Sequence, residues 1–278
     1  MLINNRVIHK DNATLSDISR LMSDPHAGTW PFAVVVAEDA LYLGSDMPFN
    51  HRFFMISAVN AQAGALSVAV WDGEQFTACE DVQDFTQATN GTPFSQSGIV
   101  RWALPRNVGW GAVYDSSEIS ELSTVKAKAN YWVKITFSAA FSFTAKYVGF
   151  AFARDLDLSV YYKDLTTDRA RTAYNNGTSM TNWESVHCVA AEEIIRDLRR
   201  KEIVWSPNQI LSPEIFTDAA CHKLAEIVYS SFGNEERTEF AQAKYREAMA
   251  KMVFDVDKDG DGRLSARERV DTGALRRV

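Results

Sequence analysis

Three cysteines in 278 residues are too few for a disulfide framework, and Cys79, Cys188 and Cys221 show no paired metal-binding spacing. An intracellular assembly environment is the simpler expectation. No apolar run reaches the roughly 18 residues of a spanning helix, and no early stretch joins a basic start to a long apolar segment, so neither a membrane span nor a signal peptide is expected. The glycines are scattered without dinucleotide or Walker phosphate-loop spacing, and no glycine-flanked serine elbow occurs. His187-Cys188 and Cys221-His222 put nucleophile and base on adjacent positions, which point about 100° apart on a helix and form no dyad by themselves. His222 and Glu226 share a helical face but lack the second histidine of a zinc hydrolase, and His9, His26 and His51 have no recognisable partner spacing. These absences point to a protein that is not an enzyme. Positive charge is also short: a net charge of −7 argues against a large nucleic-acid surface. The local run Arg196, Arg199, Arg200, Lys201 falls at a helix end, where cations are favoured by the backbone dipole.

What is present is apolar and aromatic, 46% apolar with 7 tryptophans and 16 phenylalanines, which excludes general disorder. Residues 1–29 read as a mixed N-terminal arm with a short helix over Leu15–Met22, ended by Asp24-Pro25. From Trp30 the chain reads as short strands at 32–36, 40–43, 53–59 and 65–71, with a hairpin turn at Asp72-Gly73, then at 98–104 and 131–138. Further strands are expected over 143–152 and, from the alternation Leu156, Leu158, Val160, over 156–162. That spacing predicts an antiparallel sandwich or barrel over 30–164. Trp71, Trp102 and Trp132 lie inside strand patterns and are expected in the core or at subunit interfaces. Trp110, between Gly109 and Gly111, stands out as a candidate exposed contact of the kind that stacks on sugar rings.

A helical domain is expected over 165–256, with the helical pattern setting in after Asn175-Asn176-Gly177. One helix is predicted from Asn182 to Lys201 with Val186, Ala190, Ile194, Ile195 and Leu198 on its apolar face. A second begins at the cap Ser212-Pro213-Glu214 and buries Ile215, Ala219, Leu224, Ile227, Val228 and Phe232. Gly233 ends it, and a third carries Phe240, Ala243, Ala248, Met249, Met252 and Val253, antiparallel to the second. The whole is thus expected to be α+β, with residues 257–278 forming an EF-hand-like loop and C-terminal tail.

In that loop Asp257, Asp259 and Asp261 stand at the first, third and fifth positions of a calcium loop, and Gly262 permits the sharp turn. Arg263 would lend a backbone carbonyl, Ser265 a water, and Glu268 two closing oxygens. Oxygen donors of this kind suit Ca2+. Starting the frame at Asp255 would place Ala266 at the closing position, so the later frame is preferred. A paired sensor needs a second such loop, and none occurs; only a short exiting helix fits after Glu268, so a structural ion is expected rather than a switch.

The segments 43–49, 70–76, 94–102 and 130–135, in that order, resemble a β-domain of tailed-phage virion structural proteins. The helices carrying Leu211–Phe216, Ala219-Ala220, Leu224-Ala225, Ile227–Tyr229 and Tyr245–Ala248, with the acidic ending Asp257–Gly262, are similar to the head–tail adaptor (connector) proteins of those phages. The resemblance implies a virion structural protein of the neck, at the head–tail interface, assembled in the host cytoplasm. It implies self-association in a closed homo-oligomeric ring of about twelve subunits, with the portal protein and the next neck or tail protein as partners. No membrane and no sequence-specific nucleic acid are implied. Many adaptors are helical only, so a viral tail or baseplate protein whose β-domain binds host glycans stays open as the alternative.

Overall fold

The computed structural model describes residues 5–35, 38–174, 181–263, 265 and 268–272. The chain divides into two units, Met1–Gly149 with Asp259–Arg263, and Phe150–Lys258 with Leu264–Val278. It is an α+β protein, strand-rich in its N-terminal part and helical in its C-terminal part.

In the first unit the strands are β1 (Arg6–Asp11), β2 (Thr14–Asp17), β3 (Trp30–Val34), β4 (Ala40–Ser45), β5 (His51–Ala58), β6 (Leu66–Trp71), β7 (Phe76–Ala78), β8 (Glu80–Asp84), β9 (Gly98–Ala103), β10 (Tyr131–Phe137) and β11 (Phe141–Gly149). One sheet has the order β2-β1-β4-β10-β6-β7 and the other β3-β11-β5-β9-β8, with antiparallel pairing throughout. Two-residue alternation explains the layering. Leu41 and Leu43 of β4 join Val68, Val70, Val133 and Ile135 in a core shared with Phe54, Val100, Trp102 and Phe143 of the other sheet. The intervening Ala40 and Tyr42 point the opposite way and join Trp71 and Trp132 beneath Val113, Ile119 and Leu122. The long connection between β9 and β10 therefore covers the outer face of the larger sheet, and β4 is buried on both sides. The expected hairpin forms at Asp72-Gly73, with Trp71 paired to Phe76.

The first correction concerns residues 1–29, which are not an arm. β1 pairs with both β2 and β4, and sends Val7 into one core and Ile8 into the other. The polar run His9, Lys10, Asp11 masks that strand in the sequence, although His9 is itself buried and accepts a hydrogen bond from the Trp30 indole at 3.1 Å. Asp39 fastens the hairpin by accepting from Asn12 N at 2.8 Å and Val35 N at 2.6 Å. Leu15 lies in β2, and only the four-residue helix α1 (Ser19–Met22) remains of the expected helix.

The second unit holds α2 (Asp155–Tyr161), α3 (Asp168–Tyr174), α4 (Glu184–Arg200), α5 (Thr217–Ser231), α6 (Glu235–Lys251), β12 (Val253–Asp255) and β13 (Arg269–Asp271). Its start at Phe150 corrects the boundary expected at 164. The stretch expected as a last strand is α2: Asp155 and Asp157 favour a helix N-terminus, and Asp157 Oδ2 accepts from Arg154 N at 2.9 Å. Only Leu158 of its alternating aliphatics is buried, while Leu156 and Val160 are exposed. The apolar face predicted for α4 is buried in full. Pro213–Phe216 forms a 3-10 turn before α5, and Ser212, expected as a cap, instead accepts from Asp255 N at 3.2 Å through its hydroxyl. Phe216 fills the core position assigned in sequence to Ile215, which is exposed. Gly233, at φ +67°, turns the chain into α6, where Asn234 caps by accepting from Arg237 N at 3.1 Å. The buried stripe of α6 is Ala241, Tyr245 and Met249, and Phe240 is exposed. The expected loop at 175–177 and the tail from 273 lie outside the described residues.

Candidate metal site and its surroundings

The acidic loop is closed by a small ladder rather than by helices. β12 pairs with β13, Val253 opposite Asp271 and Asp255 opposite Arg269, and Val256 N donates to Glu268 O at 2.8 Å. A strand thus stands where an exiting helix was expected, and among the described residues the loop is not a helix–loop–helix hand. Gln209 braces its start from the same unit: Asp257 N donates to Gln209 O at 2.8 Å, and the Gln209 amide donates back to Asp257 O at 3.0 Å.

Asp257, Asp259 and Asp261 are brought together, each offering a carboxylate oxygen within 4.8 Å of the others. Asp257 is buried and the other two are exposed. Their placement is local: Asp261 N donates to Asp259 Oδ1 at 3.2 Å and Arg263 N to Asp261 Oδ1 at 2.7 Å, so the backbone winds around the acids. Gly260 and Gly262 have φ of +79° and +74°, which favours glycine at both. Gly262 has a second reason, since an added Cβ would collide with the Trp110 indole nitrogen. Three carboxylates at this separation form a hard-oxygen donor set that can coordinate a metal ion.

Glu268 is buried and engaged differently. Its Oε1 accepts from Lys258 N at 2.8 Å and its Oε2 from Ser265 N at 2.6 Å, so it ties the two ends of the loop through their backbone. Arg263, itself part of the first unit, donates through its side chain to the carbonyls of Arg106 at 2.7 Å, Pro105 at 2.6 Å and Val108 at 2.5 Å.

Trp110 is not the exposed platform read from its flanking glycines. It is half-buried, stacked on Phe49 with centroids 5.5 Å apart, and packed edge-on against Tyr131. The large exposed tryptophan is Trp205, 64% exposed, which sequence reading passed over. Trp71, Trp102 and Trp132 are buried, as expected from their strand positions.

The cysteine–histidine neighbours carry no activated nucleophile. Burial pushes the Cys188 and Cys221 thiols up, the reverse of what nucleophilic thiolates need. His222 Nδ1 lies 2.9 Å from the Tyr162 hydroxyl, and Glu226 pairs with Lys223 at 2.8 Å. Sequence reading missed a cluster around Asp155, which accepts from Trp183 N at 3.0 Å, lies 3.3 Å from His187 Nε2 and 3.8 Å from an Arg171 guanidinium nitrogen. No short motif signals it, because three separate helices or their ends supply its members.

The buried histidines make stability depend on pH. Burial lowers His9 and His222, and burial together with the Arg52 and Arg101 charges lowers His51 well below the usual imidazole value. The unfolded chain then binds more protons below about pH 6.5, so stability falls as pH drops through that region. The thermal midpoint should be lower at pH 5 than at pH 7, and replacing His51 and His222 by Gln should shrink that difference. An undiminished difference in the double variant would assign the effect to other groups.

No family model and no curated protein matches the chain. Among solved structures it is similar to a chain titled "CpGH89CBM32-6 produced by Clostridium perfringens", at 8% identity and a TM-score of 0.26, covering 52% of this chain and 91% of that one. At that score the likeness bears on neither mechanism nor ligand. No helix among the described residues is long and apolar enough to cross a membrane.

Proposed function

We propose that this chain is a non-enzymatic virion structural protein, a head–tail adaptor that closes into a ring and joins the portal to the next neck or tail ring. The observation that carries the reading is where the resembling segments fall. Three of the four, 43–49, 70–76 and 130–135, involve the adjacent strands β4, β10, β6 and β7 of one sheet. Trp132 pairs with Gly44 across the β4–β10 ladder, and a Cβ on Gly44 would stand 2.8 Å from the Trp132 ring. Trp132 therefore requires glycine at position 44, and segments 43–49 and 130–135 pack as one element. The exposed aliphatics Leu156 and Val160, one turn apart on α2, suit a subunit that meets copies of itself.

In the same reading the two-sheet unit is a β-sandwich and the acidic triad takes Ca2+ as a structural ion in an EF-hand-like loop. Asp257, Asp259 and Asp261 bind through carboxylates, Arg263 through its carbonyl and Ser265 through a water. Glu268 closes the shell after exchanging its backbone partners for the ion. Localisation follows as the head–tail interface of a virion assembled in the host cytoplasm. Cosedimentation with purified portal rings tests the function: the chain should pellet with the portal at a fixed ratio. Failure to pellet, at concentrations where the chain is folded, argues against the adaptor role.

A further inference from the structure

Where α4, α5 and α6 meet, residues from all three line a groove of about 460 Å³, within the range of about 300–1,000 Å³ usual for binding clefts. Its floor is Lys223, 9% exposed, with its ammonium 4.0 Å from the centre of the Tyr245 ring and 2.8 Å from Glu226. The acids on its walls are committed. Asp197 accepts from the Tyr245 hydroxyl at 2.7 Å and pairs with Arg200 at 3.2 Å, while Glu193 pairs with Arg196 at 2.5 Å. Two lining cations are uncommitted: the exposed side chains of Lys201 and Arg246 have no ion pair or hydrogen bond among the described residues. Met249 and Ala250 add apolar lining.

We propose that this groove binds an acidic peptide segment of a partner protein. Carboxylates reach Lys201 and Arg246, the latter offering a guanidinium fork that matches a carboxylate, and the aliphatic part of the segment covers Met249 and Ala250. A single small anion would satisfy the two cations but leave the apolar lining and most of the volume unfilled. The wall acids do not oppose the ligand as bare charges, because each already faces a cation. The rim is open to solvent, so binding weakens as salt rises. This inference stands apart from ring formation, since it rests on the groove of one subunit.

The test is fluorescence anisotropy of a labelled oligoglutamate peptide titrated with the full chain at about 50 mM salt. Saturable binding is expected. Lys201→Glu combined with Arg246→Glu should weaken it at least about tenfold, equivalent to about 1.4 kcal/mol. Lys126→Glu, an exposed change in the first unit, should leave it unchanged. Both rim positions are exposed, and circular dichroism checks that the helices persist. Absence of saturable binding overturns the proposal, as does equal weakening by Lys126→Glu. Displacement by equimolar inorganic phosphate also overturns it, assigning the groove to small anions.

Discussion

Replacing Phe216 by alanine should destabilise the helical unit by about 3–5 kcal/mol. The ring is fully buried where the 3-10 turn meets α5, stacked on Phe152 with centroids 5.0 Å apart and edge-on to Phe254 at 4.7 Å. No neighbour can collapse into the space without drawing α5 away from the chain segments on either side of it, so most of the cavity persists. A loss of that size lowers the melting temperature of a unit this large by about 10 °C or more. Phe240→Ala is the matched control. Phe240 is 56% exposed on α6, so the same deletion there should change stability by no more than about 0.5 kcal/mol. Equal losses for the two would mean that the apolar stripe of α6 is the one read from sequence, not Ala241, Tyr245 and Met249.

The second large effect concerns the acidic loop. Calcium at about a hundred times its dissociation constant should stabilise the chain by about 2.7 kcal/mol, a rise in melting temperature of several degrees. Glu268→Gln should remove most of that rise. It should also lower the calcium-free melting temperature, because one carboxylate oxygen becomes an NH2 group facing Lys258 N–H or Ser265 N–H, donor against donor. Scanning calorimetry with added calcium and with chelator reads both effects. Identical wild-type curves in the two conditions would leave the loop as an acidic turn held by its own backbone.

Much of the β-unit was legible because β6, β9 and β10 alternate as half-buried strands do, while β4 and β5 are short apolar runs buried on both sides. β1 escaped because its two core residues, Val7 and Ile8, are neighbours facing opposite sides, which breaks the alternation. α2 was misread for the complementary reason. Leu156, Leu158 and Val160 alternate, yet the acids at its start decide the backbone and only Leu158 reaches the core. In α6 the true stripe contains a tyrosine and an alanine, and the larger Phe240 drew the reading one position away. The triad was legible because its three acids lie close in sequence. The flanking ladder was not, because three-residue strands carry almost no periodicity. Trp110 looked exposed between two glycines; its partners Phe49 and Tyr131 come from distant strands or their ends, which local sequence cannot show.

The adaptor reading is tested most directly by the mass and symmetry of the particles the chain forms, measured by native mass spectrometry and negative-stain imaging, alone and with a portal ring. The account predicts a closed ring of a single symmetry that seats on the portal. A persistent monomer that ignores the portal would contradict it and turn attention to a tail-tip or glycan-binding role.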